Sequence, residues 1–192
     1  MTVSYADAMD AVKAHLGAGA AAHSRRVGDT AMALAVLYHV DPEMARLAGT
    51  LHDWDRERSA DELLQTATTT AMPLSDAEKA RPRLLHARTG AVAVQRALPG
   101  LPVEVADAVA RHTVGSVDMT PLDMVVYLAD MIEPQRDYPG VVQLREAVGA
   151  VSLEELFALG YQQSVMHLVS ARKPIHPETV AVWNRFVAGG PR

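Results

Sequence analysis

The sequence predicts an all-α fold, a single helical bundle spanning residues 1–192. Three observations lead there. Apolar residues recur at three- and four-residue spacing along most of the chain, and no alternating, strand-like pattern persists for more than a few residues. Helix-start signals punctuate that pattern, among them Asp41-Pro42-Glu43, Ser59-Ala60-Asp61-Glu62 and Thr120-Pro121-Leu122-Asp123. Hydrophobic residues make up 49% of the chain but aromatics only 5%, so the core must be built from Ala, Val and Leu, which suits close helix packing. No internal repeat, low-complexity tract or linker divides the chain.

The elements follow in order. A first helix is expected over Tyr5 to Leu16, ended by Gly17 and Gly19. The second covers about Ala21 to His39, with Val27, Met32, Leu34 and Leu37 among its apolar positions. The third starts at Asp41-Pro42 and carries Met44, Leu47, Ala48 and Leu51 toward His52–Asp53. Ser59 to about Thr70 forms the fourth, opened by a capping box between Ser59 and Glu62. Residues 71–83, with Pro73 and Pro82, read as a loop holding at most one helical turn. Helices are then expected over Leu84 to Ala97, Val103 to His112, Thr120 to Ile132 and Ser152 to Ser170, with a last one starting near Pro177. The apolar face of the last two helices fits either core packing or a homodimer.

Composition narrows the chemistry. A net charge of −5 offers no electrostatic help to nucleic-acid or anionic-membrane binding, so a polyphosphate ligand would need a bound cation. The chain contains no cysteine, which excludes disulfides, thiolate metal sites and cysteine nucleophiles. Any metal must be held by His, Asp or Glu. Met1 to Asp10 lacks the apolar run of a signal peptide, and no segment is apolar enough to span a bilayer, so a cytoplasmic protein is expected.

Two features point to a site. His52 and Asp53 adjoin at the end of an apolar helix, where loosened geometry lets both reach one ion; imidazole plus carboxylate suits Fe, Mn, Co, Ni or Zn better than Ca. Asp130 lies inside the apolar run Met124 to Ile132, and an ionised carboxylate there is costly unless paired or bound to metal. His23 gains weight as a further ligand, while His86 and His112, at helix edges, are candidates for a second metal, a phosphate or a proton. Each has a plainer explanation. Asp130 would also be satisfied by Arg136, and His23 by a surface position. Arg25 and Arg26 fit a solvated face, His15, His39 and His167 structural roles, and His176 a helix N-cap before Pro177.

The order His23, His52–Asp53, Asp130 resembles the HD-domain superfamily of metal-dependent phosphohydrolases. The segments Leu47 to Trp54, Arg111 to Gly115, Tyr127 to Arg136 and Lys173 to Pro177 are similar to its YqeK-type branch, whose members are symmetrical bis(5′-nucleosyl)-tetraphosphatases. The likeness spans roughly residues 20 to 185. It implies an HD-type helical bundle in which His23, His52, Asp53 and Asp130 hold a divalent metal. Iron is the implied ion, with Mn, Co, Ni or Mg as alternatives and room for a second metal. It implies that Asp53, His86 and His112 act in catalysis, and that Trp54, Asp55, Arg56, Thr113, Tyr127 and Arg136 border the nucleotide and its phosphates. The implied reaction cuts diadenosine tetraphosphate into two ADP, with His112 favoured as the donor to the leaving group. Another HD-type nucleotidase or phosphodiesterase, or a non-catalytic nucleotide sensor, is the competing expectation. One departure stands out: where the branch often has a small residue and Lys, this chain has Asp55 and Arg56, which places an extra negative charge near the expected phosphates.

Overall fold

The computed structural model describes residues 3–188, and all of their regular structure is helical. Ser4 opens α1 (Tyr5–His15) through a reciprocal capping box with Asp7. The second helix, α2 (Ala18–Leu37), begins three residues before the predicted Ala21, because Gly17 serves as N-cap and Gly19 is absorbed into the helix. Asp41 caps α3 (Pro42–Leu51) by accepting the Glu43 and Met44 N–H groups. The Ser59–Glu62 capping box starts α4 (Ala60–Thr69) as expected. The predicted loop over 71–83 holds the short α5 (Asp76–Ala80), itself boxed by Ser75 and Glu78. A 3-10 turn (Pro82–Leu85) then runs straight into α6 (His86–Ala97).

Next come α7 (Val103–Arg111) and α8 (Pro121–Ile132), the latter started by a Thr120–Asp123 capping box. Periodicity alone does not reveal α9 (Val141–Ala147), whose seven residues offer barely two turns of pattern. The chain closes with α10 (Leu153–Ser170), α11 (Pro177–Val182) and a π-helical turn (Trp183–Val187). His176 N-caps α11 by accepting the Glu178 N–H on Nδ1 at 3.1 Å, so its Nε2–H donates to Ser75 Oγ at 2.9 Å and ties α11 to α5.

The strongly apolar α8 runs through the middle, packed against α2, α3, α7 and α10. Leu51, Leu128, Leu156 and Phe157 are fully enclosed there, each contributing about 1.5–3 kcal/mol by leaving water. A smaller cluster of Leu63, Ala67 and Leu85 fixes α4 on the 3-10 turn. Two glycines let α2 and α3 approach closely. A Cβ on Gly49 would sit 3.0 Å from the Val27 carbonyl and the Gly28 Cα, and one on Gly28 would overlap Thr50 Oγ1. With no side chains at these positions, α2 and α3 meet backbone to backbone, which brings His23 beside His52. On α10, Leu156, Phe157 and Tyr161 face the core while Leu159, Met166 and Val169 stay exposed. No helix among the described residues is long and apolar enough to cross a membrane.

Candidate active site

Helix ends build most of the site. His52 and His112 are the C-cap residues of α3 and α7, where the last carbonyls lack intrahelical partners. Each imidazole donates Nδ1–H to such a carbonyl three residues back, Gly49 O and Val109 O, at 2.8 Å. His86, first residue of α6, donates Nδ1–H to Arg83 O at 2.7 Å, a carbonyl that also accepts the His86 backbone N–H. These bonds occupy Nδ1 in all three rings and turn each Nε2 toward the centre of the cluster. His23 lies inside α2, where the carbonyls are already spent on the helix. Its Nδ1 turns instead to the Glu133 carboxylate at 3.2 Å.

The four Nε2 atoms converge on two carboxylates. Asp130 Oδ1 is 3.0 Å from His23 Nε2 and 3.7 Å from His52 Nε2. Asp53 faces both halves of the cluster. Its Oδ2 is 3.4 Å from His52 Nε2 and 3.8 Å from His23 Nε2, while its Oδ1 is 3.1 Å from His86 Nε2 and 3.5 Å from His112 Nε2. The Nε2 atoms of His86 and His112 are 3.2 Å apart, and Thr113 Oγ1 lies 3.3 and 3.1 Å from them.

Charge follows this geometry. Burial works against ionisation of His52, yet Asp53 and Asp130 outweigh it and raise the imidazole to about 9. Burial likewise opposes the Asp53 and Asp130 carboxylates, but the histidines around them, with Arg136 at Asp130, hold both well below the usual carboxylate range. His112 moves the other way: burial lowers it, and the neighbouring His52 and His86 add to that against the pull of Asp53.

The cluster fits a divalent cation. His52 Nε2 is buried and lacks a hydrogen-bond partner, although carboxylate oxygens surround it. A buried polar atom left without a partner in this way is costly, and a cation ligated by Nε2 would satisfy it together with the carboxylates. Donors that share a cation at about 2.1 Å lie roughly 3.0–3.4 Å apart in octahedral or tetrahedral geometry, close to most spacings here. Two donor groups have atoms within 4.8 Å of one another: His23, His52 and Asp130, and His52, Asp53 and His112.

The residues expected to border a nucleotide divide into two sets. Thr113 lies against the histidine pair, and Arg136 reaches the cluster: its Nε donates to the Asp130 carbonyl at 2.7 Å, and its guanidinium pairs with the Asp130 carboxylate and lies 3.4 Å from His23 Nε2. The Arg136 pairing considered from sequence thus exists together with the histidine contacts. Arg56 is exposed. The other three turn inward. Trp54 is buried and stacks on His15 with ring centroids 4.2 Å apart. Tyr127 packs in an aromatic cluster with Phe157 and Tyr161 and donates its hydroxyl to Ser164 Oγ at 2.9 Å. Asp55 is buried against α6 beside Gly90, and Arg58 Nε donates to it at 3.0 Å. Its charge is therefore paired within the protein.

Sequence reasoning missed Glu133 and its partner Arg26, whose Nε donates to Glu133 Oε2 at 2.7 Å, so Arg26 is no solvated residue. One signal was present: Glu133 is the C-cap of α8, where the helix dipole disfavours negative charge.

Known proteins resemble this chain in sequence and in overall fold. Residues 20–135 match the sequence model of the HD domain. A symmetrical bis(5′-nucleosyl)-tetraphosphatase from Bacillus subtilis is 31% identical over 183 residues, covering 95% of this chain and 97% of that protein. Its counterpart from Halalkalibacterium halodurans is 31% identical over 180 residues, covering 94% and 95%. The crystal structure of a predicted HD superfamily hydrolase involved in NAD metabolism, from Clostridium acetobutylicum, matches with a TM-score of 0.90 at 28% identity, over 99% of this chain and 100% of that one.

Proposed function

The chain belongs to the HD domain family, and from that premise we propose that it hydrolyses diadenosine tetraphosphate symmetrically to two ADP with a bound divalent metal. One observation carries the reading: His23, His52 and Asp130 bring donor atoms within 4.8 Å of one another, Asp53 Oδ2 lies 3.4 Å from His52 Nε2 and 3.8 Å from His23 Nε2, and the His52 Nε2 is buried and unpartnered. The activity named for the Bacillus subtilis and Halalkalibacterium halodurans relatives supplies the substrate. Fe²⁺ is our choice of ion, since the mixed imidazole and carboxylate set suits it. When bound there, such a cation supplies Lewis acidity, neutralising phosphoryl charge and making water a better nucleophile near neutral pH.

The chain's own residues do the rest. Asp53, with one oxygen toward each half of the cluster, holds the histidine pair in register with the metal ligands. Arg136 offers a guanidinium at the rim for phosphate oxygens. In the reaction water bonds to one of the two central phosphorus atoms and releases a proton to solvent, the central P–O–P bond breaks, and the departing ADP oxygen takes a proton. The facing Nε2 atoms of His86 and His112 can share one proton, with Thr113 as a further partner, so this pair is placed to give it. We assign the donation to His112.

Chromatography of the products from diadenosine tetraphosphate and Fe²⁺ or Mn²⁺ tests the reading. ADP as sole product, lost on chelation, is expected. ATP with AMP, or no turnover with any divalent ion, would overturn it.

A further inference from the structure

The geometry points to Glu133 as a positioning residue that aims His23, with Arg26 as its clamp; the inference builds on the reading that the cluster holds a divalent cation. Glu133 is 2% exposed and ends α8, a place that disfavours its charge twice over, through burial and through the helix dipole. Four donors compensate. Oε2 accepts Arg26 Nε at 2.7 Å and the Gln135 N–H at 2.9 Å, while Oε1 accepts Arg26 Nη2 at 3.4 Å and faces His23 Nδ1 at 3.2 Å.

An ion pair with Arg26 alone would satisfy the burial. It would not require a carboxylate oxygen on the Nδ1 side of the one imidazole in the cluster that has no free carbonyl to use. His52, His86 and His112 are each oriented by a backbone carbonyl; His23 is oriented by Glu133. With Nδ1–H donated to Glu133, the Nε2 lone pair of His23 points at Asp130 and Asp53. A carboxylate behind an imidazole also makes its other nitrogen a stronger donor to a cation than a carbonyl does. His23 and Arg26 lie one turn apart on the same face of α2, so a single carboxylate from α8 locks both and fixes the rotation of α2 relative to Asp130.

Titration of the chelator-treated protein with Mn²⁺, read by the paramagnetic resonance of free Mn²⁺, provides the test, with metal-free melting curves as the folding control. Glu133→Gln should weaken Mn²⁺ binding about 10- to 100-fold. At saturating Mn²⁺ the KM for diadenosine tetraphosphate should return to the wild-type value. Arg26→Lys, which keeps the charge but loses the fork, should weaken binding less and serves if Glu133→Gln does not fold. A folded Glu133→Gln protein with a lower Tm and wild-type Mn²⁺ affinity would reduce Glu133 to a structural ion pair and overturn the inference. Wild-type protein that takes up no Mn²⁺ would overturn the metal reading itself, and the inference with it.

Discussion

Asp130 sits near the end of a helix that is apolar from Met124 to Ala129, and an ionised carboxylate there would cost several kcal/mol if left unpaired. Its charge is matched by His23, by His52 and by Arg136, all three converging on the point where the metal is proposed. Asp130→Ala should therefore abolish Mn²⁺ uptake and turnover together; a metal-loaded, active variant would remove Asp130 from the ligand set. His112→Ala should leave uptake intact and lower turnover by about 10²–10⁴-fold, the usual worth of a positioned acid. Single-turnover assays with the variant at saturating metal separate the two effects. Asp130 was legible as a charge in an apolar run, and the other proposed ligands through their order and their neighbours. Glu133 was not, because its partners His23 and Arg26 lie more than a hundred residues away along the chain. The inward orientation of Trp54, Asp55 and Tyr127 was hidden for a related reason. A motif shows which residues are near a site, but not whether an amphipathic or charged side chain points into it or finds its partner in the core, as Asp55 does with Arg58.

Among the elements, the closeness of α2 and α3 decides whether His23 meets His52. Gly49→Ala would push a methyl to 3.0 Å from the Val27 carbonyl and the Ala31 Cβ. Such overpacking costs about 1–3 kcal/mol, and here the displaced helix also carries His23, so Mn²⁺ affinity should fall with Tm. Unchanged affinity in a destabilised variant would uncouple the helix contact from the site. The α5 segment makes a separate prediction. Burial raises the Glu78 carboxyl, yet the Ser75 N–H and Arg88 outweigh it and hold it below its ordinary value. A carboxyl lowered on folding stabilises the native state above its unfolded pKa, and the contribution fades as pH falls through the folded one. Glu78→Gln should thus cost about 1–2 kcal/mol at pH 7 and progressively less below about pH 4, measured by urea unfolding at the two pH values. Helices with side-chain caps were readable because the caps are local: Ser59, Thr120 and Ser152 each announce a start. The early start of α2 and the whole of α9 were not, since Gly17 and Gly140 cap with no side chain and α9 is held by tertiary contacts with α8 and α10.

For the whole molecule, the site is a meeting point of five helices, α2, α3, α6, α7 and α8, and so ties metal to stability. Anything that binds only the folded state raises its stability by RT ln(1 + [L]/Kd), or about 1.4 kcal/mol for each tenfold rise in free metal above Kd. Chelation should lower Tm, and Mn²⁺ should restore it in proportion to the logarithm of its concentration. A flat Tm would mean that no cation joins these helices. The all-α architecture and its HD-type arrangement were legible from periodicity and from the segments around His52, His112 and Asp130. Which histidine nitrogen faces the centre was not, because for His52, His86 and His112 a carbonyl three residues back decides it, and for His23 a carboxylate far away along the chain. The most direct test of the central claim is anomalous diffraction from crystals grown with Mn²⁺. One strong peak enclosed by His23, His52, Asp53 and Asp130 is the predicted result. A peak elsewhere, or none with Mn²⁺ present, would contradict the assignment, and a second peak between His86 and His112 would contradict their role as the proton-carrying pair.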